Sequence, residues 1–448
     1  YNMLRLTKLL CLSHPEKKYL EYYERALFNH ILSSEHPTKG GFVYFTPMRP
    51  RHYRVYSQPQ SGFWCCVGSG LENPGKYAEM IYAHDYEDIY INLFIESELS
   101  WKEKGISLIQ NTNFPYEEKT KIIVNPEKMR KFGIHIRRPD WVENSAFSIS
   151  INGKSLMVTE MNGAYIVLNR KWKKGDVVEV TLPMQNRVEF MPDDSPWVSF
   201  MHGPIVLAAV TDSTDLGGLW ADDSRMGHVA GDKLYPIDEA PFLLANSREG
   251  LASFLQETGP MQFSIDSLLY GNKFDGLHLV PFYTVHEARY MIYWRLYNES
   301  ELEVRLEELR KQEAALLALE QQTVDYVATG EQQPETEHNF RGEGTESGMY
   351  EGRYWRHAWG WFSYDLDNKG GEGKVLRIMY SGADKGRTFK ILVNGELLEQ
   401  VTSKGHPDTF FTVDYLIPEN LRTETINIKF EAMEKSMAGG VFEIRLLR

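Results

Sequence analysis

Cysteine is scarce in this sequence: Cys11, Cys65 and Cys66 are all there are in 448 residues. Three thiols cannot build the disulfide framework that staples small secreted folds, and they leave the redox compartment unread. Long hydrophobic runs are missing too. No stretch reaches the roughly 18 apolar residues of a membrane-spanning helix, and the first residues lack the basic, apolar and small-residue succession of a signal peptide. Basic residues are in deficit, 49 Lys and Arg against 62 Asp and Glu, for a net charge of −13. Without a basic face there is little to neutralise phosphates, so neither nucleic acid nor an anionic membrane is expected as a partner. An initiator Met is also lacking. The chain enters an amphipathic helical pattern directly at Tyr1 with no capping residue before it, and so reads as a fragment whose start lies upstream.

What is present is globular in composition. Hydrophobic residues make up 42% and charged residues 25%, with 35 Gly and 20 Pro, and the length predicts two to four domains of roughly 100–150 residues. Aromatics are plentiful at 13%, with 10 Trp and 25 Tyr. Aromatic faces stack on the apolar faces of sugar rings, which favours a neutral ligand; for any single Trp the competing reading is a place in a β-sandwich core.

The hydrophobic period changes once along the chain. Residues 1–13 set Leu4, Leu6, Leu9 and Leu10 mostly at helical spacing, and 16–33 do so with Leu20, Tyr23, Leu27 and Ile31; this predicts two neighbouring helices. Gly40-Gly41 then opens an aromatic hairpin, FVYFTP to HYRVYS, and a third helix is predicted from Leu71 to Ala83, started or interrupted near Pro74. After about residue 86 the period alternates, through EDIYINLFIES, ISLIQNT, KTKIIVN and FGIHIRR, as strands require. Asn-Gly turns recur in FSISINGKSLMV (147–158) and FKILVNGELLEQV (389–401), predicting two hairpins in two modules of similar build. Residues 300–323, rich in Glu, Leu, Ala and Arg and free of Gly and Pro, predict a linker helix.

The chemistry concentrates at FWCCVGSG. For vicinal cysteines on a Gly-rich turn three readings stay open: inert buried thiols, a strained vicinal disulfide, or thiolates that bind metal or act as a nucleophile. A zinc site takes four ligands, or three and an open position, which two cysteines cannot complete alone. Cys11, among leucines, reads as a core thiol, and Glu72 and Glu79 as solvated helix residues.

YNMLRLTKLL, YERALFNHIL, GGFVYFTPMRPRHYRVYS and GFWCCVGSG occur in one order, followed by IYINLFIES, HIRRPDWV, GPIVLAA and WGWFSYDL. Together they resemble the β-L-arabinofuranosidases of glycoside hydrolase families 127 and 146, closer to 146, over nearly the whole chain. The resemblance implies an α+β multi-domain fold: the C-terminal part of an (α/α)6 barrel (1–85), a β-sandwich (86–210), a second β-rich region packing on it (211–299), the linker helix (300–323) and a jelly-roll-like C-terminal β-sandwich (324–448). It implies a retaining hydrolase of terminal β-L-arabinofuranosidic linkages in plant glycans, with a zinc-bound thiolate as nucleophile and a glutamate as acid/base. By motif position Cys65 is the nucleophile and a zinc ligand, Cys66 a second ligand, and Glu24 and Tyr44 line the sugar pocket. The remaining zinc ligands and the acid/base are expected upstream of Tyr1. The expected partners are an arabinose-containing oligo- or polysaccharide and an upstream half of the same protein, and the expected location is periplasmic or extracellular. Two readings compete: a non-catalytic carbohydrate-binding protein presenting Trp355, Trp359 and Trp361, and a bracing role in which RYWRHAWGWFSYDL is a core strand with buried aromatics.

Overall fold

The computed structural model describes all residues except 63, 157–160, 223–226, 271–273 and 275. The chain divides into two compact units, Tyr1–Arg310 and Lys311–Arg448, the division falling within a long helix, Leu302–Gln322. None of the described helices is long and apolar enough to cross a membrane.

The first unit begins with α1 (Asn2–Ser13) and α2 (Lys17–Ala26), the latter running on through a π-turn at Leu27–Ile31. The spacing read from α2 holds: Leu20, Tyr23, Leu27 and Ile31 are all at most 6% exposed. On α1 the buried stripe is Leu4, Thr7 and Cys11, while Leu6, Leu9 and Leu10 are 39–55% exposed. The third helix, α3, is Cys65–Glu72, six residues earlier than the sequence predicts. Pro74 has no N–H to continue a helix, so the chain leaves through a 3-10 turn at Pro74–Lys76 and is extended by Tyr82. The expected aromatic hairpin is reduced to isolated bridges, among them Val43 to Tyr56. A closed (α/α)6 barrel is not formed among the described residues.

Two sheets follow. Five strands between Tyr82 and Trp172 and six between Ser97 and Thr181 form the two layers. Alternation puts Ile134, Ile136, Leu108, Ile122, Val124, Val178 and Val180 into the shared core at 0% exposure. The Asn152-Gly153 turn has φ values of 50° and 76°, as a type I′ hairpin needs; residues 157–158 of that predicted hairpin lie outside the described residues. This sandwich ends near Leu182, not at 210, because Trp197–His202 and Ile205–Asp212 pair into the next sheet. That sheet runs from Asn186 to Tyr297 around Phe200, Leu207, Phe263 and Trp294.

The second unit is a nine-stranded antiparallel assembly that fits a β-sandwich. Phe362, Tyr364, Ile378, Phe389, Ile391, Phe430 and Ile444 form its core, each 0% exposed. Asn394 and Gly395, at φ 50° and 86°, make the second predicted hairpin turn.

Candidate functional site

Cys65 and Cys66 open α3, with Trp64 at the N-cap. The helix N-terminus concentrates unpaired N–H groups and the positive end of the helix dipole beside the two thiols. The placement of α3 depends on Gly70: a Cβ there would lie 2.4 Å from Cδ1 of Phe42. Phe42 is fixed in turn, its N–H donating to Ser57 Oγ at 3.0 Å and its carbonyl accepting from Ser57 N–H at 2.9 Å. Gly41 has φ +88° and a Cβ there would meet the Ser57 carbonyl oxygen at 2.3 Å, so only glycine lets this segment turn. Tyr44 follows two residues after Phe42.

The thiol of Cys65 is exposed and lies 3.7 Å from Tyr44 Oη and 3.9 Å from Cys66 Sγ. Both cysteines are unbridged. Two sulfur ligands at about 2.3 Å from a tetrahedral zinc stand about 3.8 Å apart, so the pair fits as two of four ligands. Among the described residues no group of three or more His, Cys, Asp or Glu side chains is placed to hold a metal. Burial pushes the Cys66 thiol up, and the neighbouring Cys65 adds to the shift.

Around the thiol stands an aromatic wall. Tyr44 meets Trp64 edge-on at 6.3 Å, and His228 lies 4.6 Å from Tyr44, 5.0 Å from Trp64 and 5.4 Å from Phe45, ring centre to ring centre. His228, 3% exposed, comes from the stretch that follows the third sheet's strand Ile205–Asp212. Backbone contacts hold this loop to the Tyr44 segment: Tyr56 N–H donates to Leu219 O at 2.9 Å and Ala221 N–H to Tyr56 O at 2.8 Å. Arg289, 0% exposed, donates to the carbonyls of Arg51 and Thr214 at 2.8 and 3.0 Å, stitching both sides together. Sequence reasoning missed Trp64, His228 and this loop, since the region 211–299 carried only a strand pattern.

Glu24 is corrected by its surroundings. Expected to meet a sugar hydroxyl, it is 1% exposed. Its Oε2 accepts from Arg137 at 2.9 Å and from Trp141 Nε1 at 2.8 Å, while Oε1 is buried without a hydrogen-bond partner among the described residues. The carboxylate pins α2 to the sandwich strand Arg130–Arg137. Glu79 pairs with Lys8 and Lys76 at 2.6 and 3.0 Å, and Glu72 accepts from the Tyr1 hydroxyl. Cys11 is a core thiol, 6% exposed.

Four family models match in series. Residues 1–79 match the catalytic domain, and 88–184 the middle domain, of the GH127 β-L-arabinofuranosidases; 187–296 match a domain of unknown function and 318–447 a family of unknown function. Two of its segments, 1–79 and 88–184, thus resemble domains of a glycoside hydrolase of the β-L-arabinofuranosidase type, family 127. Among solved structures, a GH127 β-L-arabinofuranosidase from Geobacillus stearothermophilus T6 is 18% identical with a TM-score of 0.47, over 66% of this chain and 49% of its own. A second GH127 β-arabinofuranosidase is 21% identical with a TM-score of 0.47, over 66% of this chain and 48% of its own. A family 35 carbohydrate-binding module from Clostridium thermocellum is 14% identical with a TM-score of 0.21, over 27% of this chain and 95% of its own. The chain spans about half the length of the two hydrolases. No curated protein matches it.

Proposed function

We propose that this chain serves a retaining glycoside hydrolase that releases terminal β-L-arabinofuranose from plant glycans, with Cys65 as nucleophile and Cys65 and Cys66 as zinc ligands. The observation that carries the reading is the exposed Cys65 thiol at a helix N-terminus, 3.7 Å from a tyrosine hydroxyl and 3.9 Å from a second thiol. Bound zinc would hold both sulfurs deprotonated at neutral pH; two further ligands and an acid/base carboxylate complete the chemistry. The Cys65 sulfur attacks the anomeric carbon, forming the C–S bond as the bond to the leaving oxygen breaks, and that oxygen takes the acid's proton. Water, deprotonated by the same carboxylate, then attacks the anomeric carbon. The C–S bond breaks, its electron pair returns to sulfur, and two inversions leave the configuration retained. Tyr44, within reach of the sulfur, donates to the thiolate or to a sugar hydroxyl, and Trp64, backed by the buried His228, forms an apolar face for the ring.

The test is alkylation of the chain by iodoacetamide, mapped by mass spectrometry, with zinc added or chelated, alongside release from a chromogenic β-L-arabinofuranoside once an upstream half supplies the remaining ligands and the acid/base. Zinc should protect Cys65 and Cys66 from alkylation, and Cys65→Ser should abolish release. Reactivity unaltered by zinc, or undiminished release by Cys65→Ser, would refute the assignment.

A further inference from the structure

The C-terminal unit presents chemistry that the cysteine site does not use. Its strand Arg353–Asp367 pairs antiparallel with Arg341–Tyr350. The bracing reading predicts buried tryptophans, yet Trp359 is 62% exposed, while Ala358, Phe362 and Tyr364 beside it are at 0%. The cause is a break in register between Glu343 and Thr345. Gly344 takes φ +63° there, and a Cβ on Gly360 opposite would lie 2.6 Å from the Glu343 carbonyl oxygen. A β-bulge built on two glycines re-aims the side chain next to it, and here that side chain is Trp359.

Before the bulge, Trp355 and His357 share one strand face by alternation, and Trp359 follows them at the bulge itself. Trp355 stacks on His357 at 4.5 Å and lies across Gly348, where a Cβ would come within 2.6 Å of the indole. His357 Nε2 meets Glu346 Oε2 at 3.2 Å, and the Asp384–Arg387 pair, 2.7 Å apart, acts on the same imidazole. Acid and base are paired in this group, so it offers hydrogen bonds of both kinds with little net charge. An exposed indole beside paired polar groups suits a polyhydroxylated neutral ring, whose C–H face stacks while its hydroxyls donate and accept.

We infer that the face of strand Arg353–Asp367 bearing Trp355 and Trp359 is a second, non-catalytic binding site for a neutral polysaccharide. Trp359 is the stacking platform and Glu346, Asp384 and Arg387 the polar border. The site lies in a unit outside the one holding the cysteines, and its existence does not depend on hydrolysis by Cys65.

The test is affinity gel electrophoresis of the full chain carrying Cys65→Ser, so that no turnover intervenes, in gels holding soluble arabinan, arabinoxylan or galactan. At least one should retard the chain. Trp359→Ala should weaken that binding at least tenfold, whereas Leu416→Ala, removing a side chain 69% exposed elsewhere on the unit, should not. Because Trp359 is exposed, its loss leaves the core intact, and an unchanged far-UV spectrum checks this. No retardation in any gel, or equal retardation of Trp359→Ala, overturns the inference. Hydrolysis by the chain with Cys65 intact is scored separately, so failure of this site and failure of the hydrolase reading remain distinguishable.

Discussion

Replacing Glu24 by Ala should destabilise the first unit, because the carboxylate answers a guanidinium that has nowhere else to go. Arg137 is 0% exposed; its partners are Glu24 at 2.9 Å, Glu21 at 3.0 Å and the Asn92 carbonyl at 2.9 Å. Although burial disfavours its charge, the two carboxylates hold its pKa above the ordinary arginine value. Removing one partner of a buried pair costs about 3–5 kcal/mol, since the survivor is left charged in a dry interior. Glu21, whose side chain is 21% exposed, remains to share the charge, so the lower end, about 3 kcal/mol, is expected. For a cooperative block of 150–250 residues each kcal/mol moves the midpoint by about 2–4 °C, giving a fall of roughly 6–12 °C. Scanning calorimetry should show this in the first unit's transition, with the C-terminal unit, which has its own core, as internal reference. Joint replacement, Glu24→Leu with Arg137→Met, should recover part of the loss, because the fully buried charges are removed together and only the partly exposed Glu21 loses its partner. A midpoint within 1 °C of wild type, together with weaker sugar binding by Glu24→Ala, would refute this reasoning and return Glu24 to the sugar pocket.

Gly70→Ala forces a Cβ to 2.4 Å from the Phe42 ring; overpacking of this kind costs about 1–3 kcal/mol and should also shift the Cys65 alkylation rate, read by mass spectrometry. His228→Ala should raise KM for a chromogenic arabinofuranoside more than it lowers kcat, since the imidazole packs on the Tyr44 and Trp64 rings; a fall in kcat with KM unchanged would contradict its role as a wall. Burial holds His52, His202 and His286 each down to about 4. Groups neutral in the fold but of pKa about 6.5 when unfolded contribute stability that is present above pH 6.5 and lost as pH falls toward 4. Urea midpoints should therefore drop between pH 7 and pH 5, and an unchanged midpoint would contradict the burial of these rings.

Periodicity made the strands, both Asn-Gly turns and the buried face of α2 legible, because each is a local pattern that one face of burial enforces. It failed on α1, whose apolar residues surround the helix, so no spacing rule selects Leu4, Thr7 and Cys11 as the inner stripe. The boundary at 210 was misplaced because Trp197–His202 and Ile205–Asp212 alternate as well in one sheet as in another, and pairing partners are long-range. Glu24 was misread for a related reason: a carboxylate on a helix shows its type, whereas the Arg137 that claims it sits 113 residues away.

The cysteine site is likewise assembled from segments that no local motif joins. The thiols come from α3, Tyr44 from the turn after Gly41, and His228 from a loop of the domain of unknown function. Residues 1–79 match a catalytic-domain model, yet their aromatic wall is completed by residues beyond 210. Tyr53, buried at 0%, sits where the two meet, its hydroxyl donating to the Gly217 carbonyl and accepting from Asp232 N–H at 3.1 Å. Replacing it by Phe keeps the ring and removes both bonds, leaving the Gly217 carbonyl without this donor at a cost of about 1–3 kcal/mol. If the loop is part of the site, Tyr53→Phe should loosen His228 from Tyr44 and Trp64 and raise KM as His228→Ala does, with no added effect in the double variant. Additive effects would mean that the loop only braces the fold.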